Sequence, residues 1–143
     1  MTTQETIIAV EQLRDVAALE AAAHSPAAWQ YCDDADSVAE AAARTLGKLR
    51  GAAVTAALVR LSAADIPSRG MAIVALELGY RAPELGVARA LERLSAHRNA
   101  AVRESVCWGL AKLPSLRATL DRLGRDENYY VRVAAHGATR RLR

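Results

Sequence analysis

The side chains best suited to catalysis or metal binding lie far apart in this sequence. Its three histidines are His24, His97 and His136, and its two cysteines are Cys32 and Cys107. These positions form no Cys-x-x-Cys or His-Glu-x-x-His spacing, and neither a Gly-x-Ser-x-Gly elbow nor a glycine-rich phosphate loop occurs. We therefore expect a non-enzymatic protein with no cofactor and no metal site, whose cysteines are free thiols.

Aromatic and basic side chains offer a different chemistry, that of recognition. Trp108 is the leading candidate, because Trp, Tyr and Arg are the usual anchors of protein interfaces. The predicted partner-binding residues are Trp108, Arg44, Lys48, Lys112, Tyr129, Tyr130, Arg140 and Arg141. Each charge alone is more typical of a solvated helix face than of a binding site, and the two tyrosines are equally typical of residues that cover an edge of the core.

An internal repeat determines how these residues are positioned. Residues 91–96 match residues 58–63 at five of six positions, 33 residues apart, and residues 128–132 parallel residues 99–103, 29 residues apart. Apolar residues recur at helical spacing after each polar turn, as at Val102 and Val106. Repeats of this length are typical of stacked helix pairs.

The repeat predicts one all-α domain over residues 1–143, made of four helix pairs. Residues 1–35 are assigned to an N-terminal cap and the first outer helices, and residues 36–142 to the repeats. A single amphipathic capping helix is predicted over residues 4–22, followed by a short helix containing Trp29 and Tyr31. Stacked pairs shield one another's apolar sides, and 32 alanines allow their helices to approach closely.

The helical period also predicts where Trp108 points. At about 100° per residue, Trp108 lies roughly opposite the apolar face of its helix, beside Glu104 and Ala111. We expect it to face solvent on the inner surface, with sideways packing against an adjacent repeat as the alternative. Cys107 borders the apolar stripe, which predicts a packed thiol and not a nucleophile.

This pattern resembles HEAT repeats, in particular the short bacterial kind that is also found in phycobilisome-lyase-like proteins. In that pattern a turn with Asp or Asn precedes Val-Arg, a pair of small residues and a closing Leu-x-x-Leu. Residues 98–113 follow it, as do residues 126–135 with closure at Leu142, whereas Ser68 and Arg69 stand where Val-Arg is expected. The resemblance covers about residues 36–142.

The resemblance implies an α-solenoid of about four HEAT-like helix pairs with an N-terminal capping helix. It also implies that Arg103 and Arg132, which follow Val in the pattern, bridge the turns of neighbouring repeats. These two arginines are therefore left out of the predicted binding surface.

The uneven distribution of charge guides the choice of partner. Residues 1–88 carry 7 Lys and Arg against 11 Asp and Glu, whereas residues 89–143 carry 12 against 5. A basic second half favours acidic partners. The leading prediction is a non-catalytic adaptor or scaffold that binds a protein or peptide, acidic ones included. Nucleic-acid binding is the alternative, and a bilin lyase-like or chaperone-like accessory role, implied only by the resemblance, ranks below it.

Neither a membrane span nor a signal peptide is indicated. The most apolar stretches fall short of the ~20 residues that a spanning helix needs. Glu5, Glu11 and Asp15 occupy the region where a signal peptide is basic and then apolar. We predict a soluble, cytoplasmic protein with no membrane partner, and the sequence leaves its oligomeric state open.

Overall fold

The computed structural model describes residues 2–24 and 35–142. Within these ranges the regular structure consists of α-helices and one 3-10 turn, which confirms the predicted all-α class. The helices group into two compact units, Met1–Val74 and Ala75–Arg143, with the boundary inside one helix. No helix in the described ranges is long and apolar enough to cross a membrane.

The first unit contains four helices and the beginning of a fifth. Helix α3 packs against α1, α2 and α4, and α2 also packs against α4. Gly70 is required in this packing, since a Cβ there would lie 2.8 Å from that of Ala39. The bounds are α1, Thr3–Glu11; α2, Val16–His24; α3, Ala35–Gly47; α4, Ala52–Ser62; and α5, Ser68–Tyr80.

The prediction of one helix over residues 4–22 is wrong, because a turn at residues 12–15 separates α1 from α2. The carboxylate of Asp15 accepts a hydrogen bond from the amide of Ala18 at 2.8 Å. This bond satisfies an amide that has no partner inside the first turn of α2, so a new helix begins within a continuous apolar pattern. The predicted helix around Trp29 and Tyr31, and also Cys32, lie outside the described residues.

The second unit contains two helix pairs that follow the end of α5. Helix α7 packs against α6, α8 and α9, and its apolar face, including Val102 and Val106, is fully buried. Pro114 begins the 3-10 turn Pro114–Leu116, where a missing N–H costs nothing. The bounds are α6, Val87–Leu94; α7, Ala100–Ala111; α8, Arg117–Leu123; and α9, Tyr129–Arg140.

The turns before α7 and α9 use the same residues 29 positions apart. The side chain of Asn99 caps α7 by accepting from the amide of Ala101 at 2.9 Å. The side chain of Asn128 caps α9 in the same way, accepting from the amide of Tyr130 at 2.9 Å. The internal repeat read from the sequence is therefore a repeat of local structure in this unit.

An arginine in the first turn of each helix, here called the gripping arginine, donates hydrogen bonds to the preceding loop. Arg103 Nη1 donates to the carbonyls of His97 and Arg98 at 2.9 and 3.1 Å. Arg132 Nη1 donates to the carbonyls two and one residues before Asn128, at 2.8 and 3.0 Å. Each arginine thus satisfies two loop carbonyls that no helix would pair.

Candidate partner-binding site

Trp108 lines an open cavity of about 460 Å³ between α7 and α9. The indole is half-buried, because it stands on the side of α7 away from the fully buried Val106 and Leu110. Trp108 is therefore neither fully exposed nor fully packed against a neighbouring pair, and each of these two expectations holds in part.

Two cations hold the indole of Trp108. The guanidinium carbon of Arg141 lies 4.2 Å from the ring centroid, and Lys112 Nζ lies 5.8 Å from it. Lys112 Nζ is also 5.4 Å from the centroid of Tyr80 and donates to the carbonyl of Gly79 at 3.1 Å. Stacking of this kind fixes the Trp rotamer and leaves the edges of the Arg guanidinium available for an anion.

Leu76 and several small residues also line the cavity. Its lining includes Ala101, Ser105, Ala134 and Ala138, together with the glycine at 137. A Cβ at Gly137 would have no atom within 4 Å, so this backbone is open to the cavity. The cavity therefore has room for side chains from another molecule and lies within the volume range typical of ligand pockets, about 300–1,000 Å³.

The cavity has a negative charge from α7 and a positive charge from the end of α9 in its lining. Glu104 lines the cavity one helical turn before Trp108, and Arg141 lines it beside the indole. Within the described residues, no carboxylate forms an ion pair with Arg141 or Lys112, in contrast to Arg103, which pairs with Asp126. The uncompensated positive charge therefore lies at the Trp108 position.

The predicted cations of the first unit are exposed, Arg44 in the last turn of α3 and Lys48 directly after the helix ends. Arg44 Nη2 pairs with Glu40 Oε1 at 2.7 Å, and Glu40 Oε2 pairs with Arg69 Nη2 at 2.8 Å. Glu40 thus holds two arginines, which matches the interpretation of Arg44 as part of a solvated, charge-balanced helix face. Arg44 and Lys48 belong to the first unit, whereas the residues that line the Trp108 cavity belong to the second.

Tyr129 and Tyr130 open helix α9 and lie outside the Trp108 cavity. These two residues are 63% and 67% exposed. Their ring centroids are 5.5 Å apart in an edge-to-face arrangement. Arg140 is exposed and does not line that cavity either. Trp108, Lys112 and Arg141 are therefore the predicted residues that the structure brings together.

Tyr80 is the residue near this site that sequence reasoning missed. It is 60% exposed, and its ring shares Lys112 with Trp108. Tyr80 and Glu77 lie one helical turn apart in a helix whose repeat register is irregular. This pattern does not indicate a contact between Tyr80 and α7.

The side chains with nucleophilic or basic character in this unit have structural partners. Burial raises the pKa of the Cys107 thiol to about 12, with smaller contributions from Glu104 and Asp126. Its Sγ donates to the carbonyl of Arg103 at 3.5 Å. His97 Nδ1 accepts from the amide of Asn99 at 3.0 Å. The prediction of a packed thiol at Cys107 is confirmed.

A second cavity of about 730 Å³ lies at the turns, between the loops that precede α7 and α9. Arg98, Arg122 and Arg125 line it, together with Asp126 and Glu127. Arg122 Nη2 donates to Ser95 Oγ at 2.7 Å. Both signs of charge meet here, so the cavity does not form an unbroken basic stripe of the kind that follows a nucleic-acid backbone.

Comparison with protein-family models, curated proteins and solved structures finds no match to this chain. Membership of the HEAT-like family therefore stays a prediction from the repeat. No group of three or more His, Cys, Asp and Glu side chains suited to a metal ion occurs in residues 2–24 and 35–142.

Proposed function

We propose that this protein is a non-catalytic, HEAT-like solenoid adaptor that binds a protein or peptide through the α7–α9 surface. The second unit supports this proposal with two helix pairs that share their cap, their gripping arginine and their spacing of 29 residues. In this proposal, Trp108 is the anchor, and Lys112 and Arg141 orient an acidic group of the partner.

One observation carries the proposal: Trp108 stands beside an open cavity while Arg141 stacks on its ring at 4.2 Å. A half-buried Trp next to an unfilled cavity leaves apolar surface in contact with water. An indole that is already held in one rotamer loses little conformational entropy when a partner covers it. These two properties are those of interface residues that contribute most to binding.

Site-directed photo-crosslinking tests this function. A photoreactive residue at Ser105, which lines the cavity, is expected to capture a protein in cells that express the chain. The same residue at Ala118, an exposed position on α8, is the matched control and is expected to capture much less. The adduct at position 105 should decrease at least about tenfold in Trp108→Ala, since loss of an anchor costs about 2 kcal/mol or more.

Gly137 supplies a test that leaves the anchor itself unchanged. Gly137→Leu fills the cavity without a clash, because a Cβ at this position meets no atom within 4 Å. We expect it to abolish the adduct, whereas Gly137→Ala should keep it and Leu85→Ala, at a residue 97% exposed elsewhere, should not affect it. An adduct that persists in Gly137→Leu, or that nuclease removes while protease does not, would contradict the proposal.

A further inference from the structure

The two gripping arginines differ in how much of each guanidinium is used. All three nitrogens of the Arg103 guanidinium donate hydrogen bonds. Nη1 donates to the loop carbonyls, Nε donates to Asp126 Oδ2 at 2.9 Å, and Nη2 donates to Asp126 Oδ1 at 3.1 Å. This is the two-pronged Arg–carboxylate geometry, the strongest common form of such a pair. It joins the turn before α7 to the turn before α9, as the resemblance implied.

Arg132 has the same anchoring and an unused edge. Its Nη1 is held by the carbonyls of Asp126 and Glu127, as Nη1 of Arg103 is held one repeat earlier. Within the described residues, neither Nε nor Nη2 of Arg132 has a hydrogen-bond partner, and no carboxylate lies within ion-pair distance of it, although the charge of Asp126 interacts with it from farther away. Nε and Nη2 are therefore two donors that no described carboxylate uses.

The surroundings of Arg132 favour a carboxylate from another molecule. The Arg132 guanidinium carbon lies 5.9 Å from the ring centroid of Tyr129, which is 63% exposed. In the register of α7, the residue that corresponds to Tyr129 is Ala100, so the repeat does not require a ring at this place. A stacked, pre-oriented guanidinium loses less rotamer freedom on binding than a free surface arginine does.

We propose that Arg132 and Tyr129 form a receptor for an aspartate of a partner protein, presented from a turn that precedes a helix. The Arg103–Asp126 pair within this chain is the template for the contact. The partner aspartate accepts from Nε and Nη2 of Arg132, and the Tyr129 ring covers one side of the pair. This site is separate from the Trp108 cavity, and the proposal does not depend on the adaptor function.

Side-chain NMR of the complete ¹⁵N-labelled chain tests the receptor directly. The probe is a capped six-residue peptide, Asp-Glu-Asn followed by three alanines, which imitates the turn at residues 126–128. The Nε–H signal of Arg132 is expected to shift saturably at millimolar peptide, an affinity of about −4 kcal/mol that suits one ion pair with a stacked ring. The Nε–H signal of Arg103, already bound to Asp126, should stay in place.

Matched variants separate a built receptor from general attraction. A peptide with Asn in place of its Asp should bind at least about fivefold more weakly, and Tyr129→Ala, which keeps the turn bonds, about threefold more weakly. Arg89→Gln removes an equal charge from exposed surface on α6 and should leave binding unchanged.

Any of four results would overturn the proposal. The Arg132 signal fails to shift, or the Asn peptide binds equally well, or Arg89→Gln weakens binding as much as Arg132→Gln does. A concentration-dependent dimer that Arg132→Gln dissociates would also overturn it, because the occupant would then be a second copy of this chain.

Discussion

Helices α7 and α9 have the same cap and the same gripping arginine, but their corresponding side faces differ in composition. Cys107 and Ala111 of α7 are 1% and 8% exposed. Twenty-nine residues later, His136 and Arg140 are exposed on α9. Small or apolar residues occur where a helix is covered and large polar residues where it is open. The residues that the two helix pairs share build the turns. The residues that differ depend on whether a neighbour packs at that position.

The largest expected effect on the free energy of unfolding comes from exchanging Cys107 and His136, which occupy corresponding positions of the repeat. Cys107→His places an imidazole in a fully covered position and is expected to lower the free energy of unfolding by about 3 kcal/mol, through overpacking and the burial of an unpaired polar group. His136→Cys at the corresponding open position should change it by less than about 0.5 kcal/mol. Urea unfolding followed by circular dichroism measures both, and equal effects would contradict the comparison.

Substitution of Arg103 should lower the free energy of unfolding more than substitution of Arg132. Arg103→Gln leaves two loop carbonyls unpaired in a half-buried turn and leaves Asp126 with the amide of Asn128 but without its ion pair, and we expect a loss of about 2 kcal/mol. Arg132→Gln removes only the two carbonyl bonds, so a loss of about 1 kcal/mol or less is expected. The same urea titrations provide the measurement. A larger loss at Arg132 than at Arg103 would mean that the bridge to Asp126 does not stabilise the fold.

Gly109 and Gly137 differ in how closely other atoms approach the helix backbone. A Cβ at Gly109 would lie 2.7 Å from Gly79 Cα and 2.8 Å from Leu91 Cδ1. Gly109→Ala should therefore destabilise by about 1–2 kcal/mol. Gly137→Ala faces open space and should stabilise by about 0.5–1 kcal/mol, the usual gain in helix propensity. Thermal unfolding of the two variants should shift the midpoint in opposite directions, and a shift in the same direction would contradict this assignment.

Acid should weaken the bridge between the turns. The hydrogen bond from Arg103 is the main cause that lowers the pKa of Asp126. Because the folded pKa lies below the unfolded value of about 3.9, this stabilisation is complete above that pH and disappears as pH falls through the folded pKa. Unfolding free energies measured from pH 6 to pH 2 should show wild type and Asp126→Asn converging at the acid end. Parallel curves would contradict it.

The repeat in the sequence predicted the second unit well. Val102, Val106 and Leu110 recur at helical spacing and are buried, and the Asn caps follow directly from the turn residues. Local patterns suffice for the helices and their caps, because the apolar period and the capping bonds involve residues near in sequence. In the first unit the same apolar period continued through Asp15, and a single side-chain cap divided one predicted helix into two.

The site was less accessible to sequence reasoning. Helical angles gave the side of α7 on which Trp108 stands, but its contact with Arg141 depends on how α9 packs against α7. Arg44 looked like a binding residue until its partner Glu40 was located, since an i,i+4 pair and an open cation have the same sequence pattern. Long-range side-chain contacts of this kind depend on packing that no local period encodes.

The one-sided burial of α9 has a consequence for local opening. Helix α7 contacts α6, α8 and α9, so breaking its amide hydrogen bonds requires several contacts to be lost together. Helix α9 packs chiefly against α7 and α8 and can detach with less disruption. Protection from deuterium exchange should therefore rise from α9 to α7, and the receptor arginine on α9 would lie on a helix that opens more readily than α7.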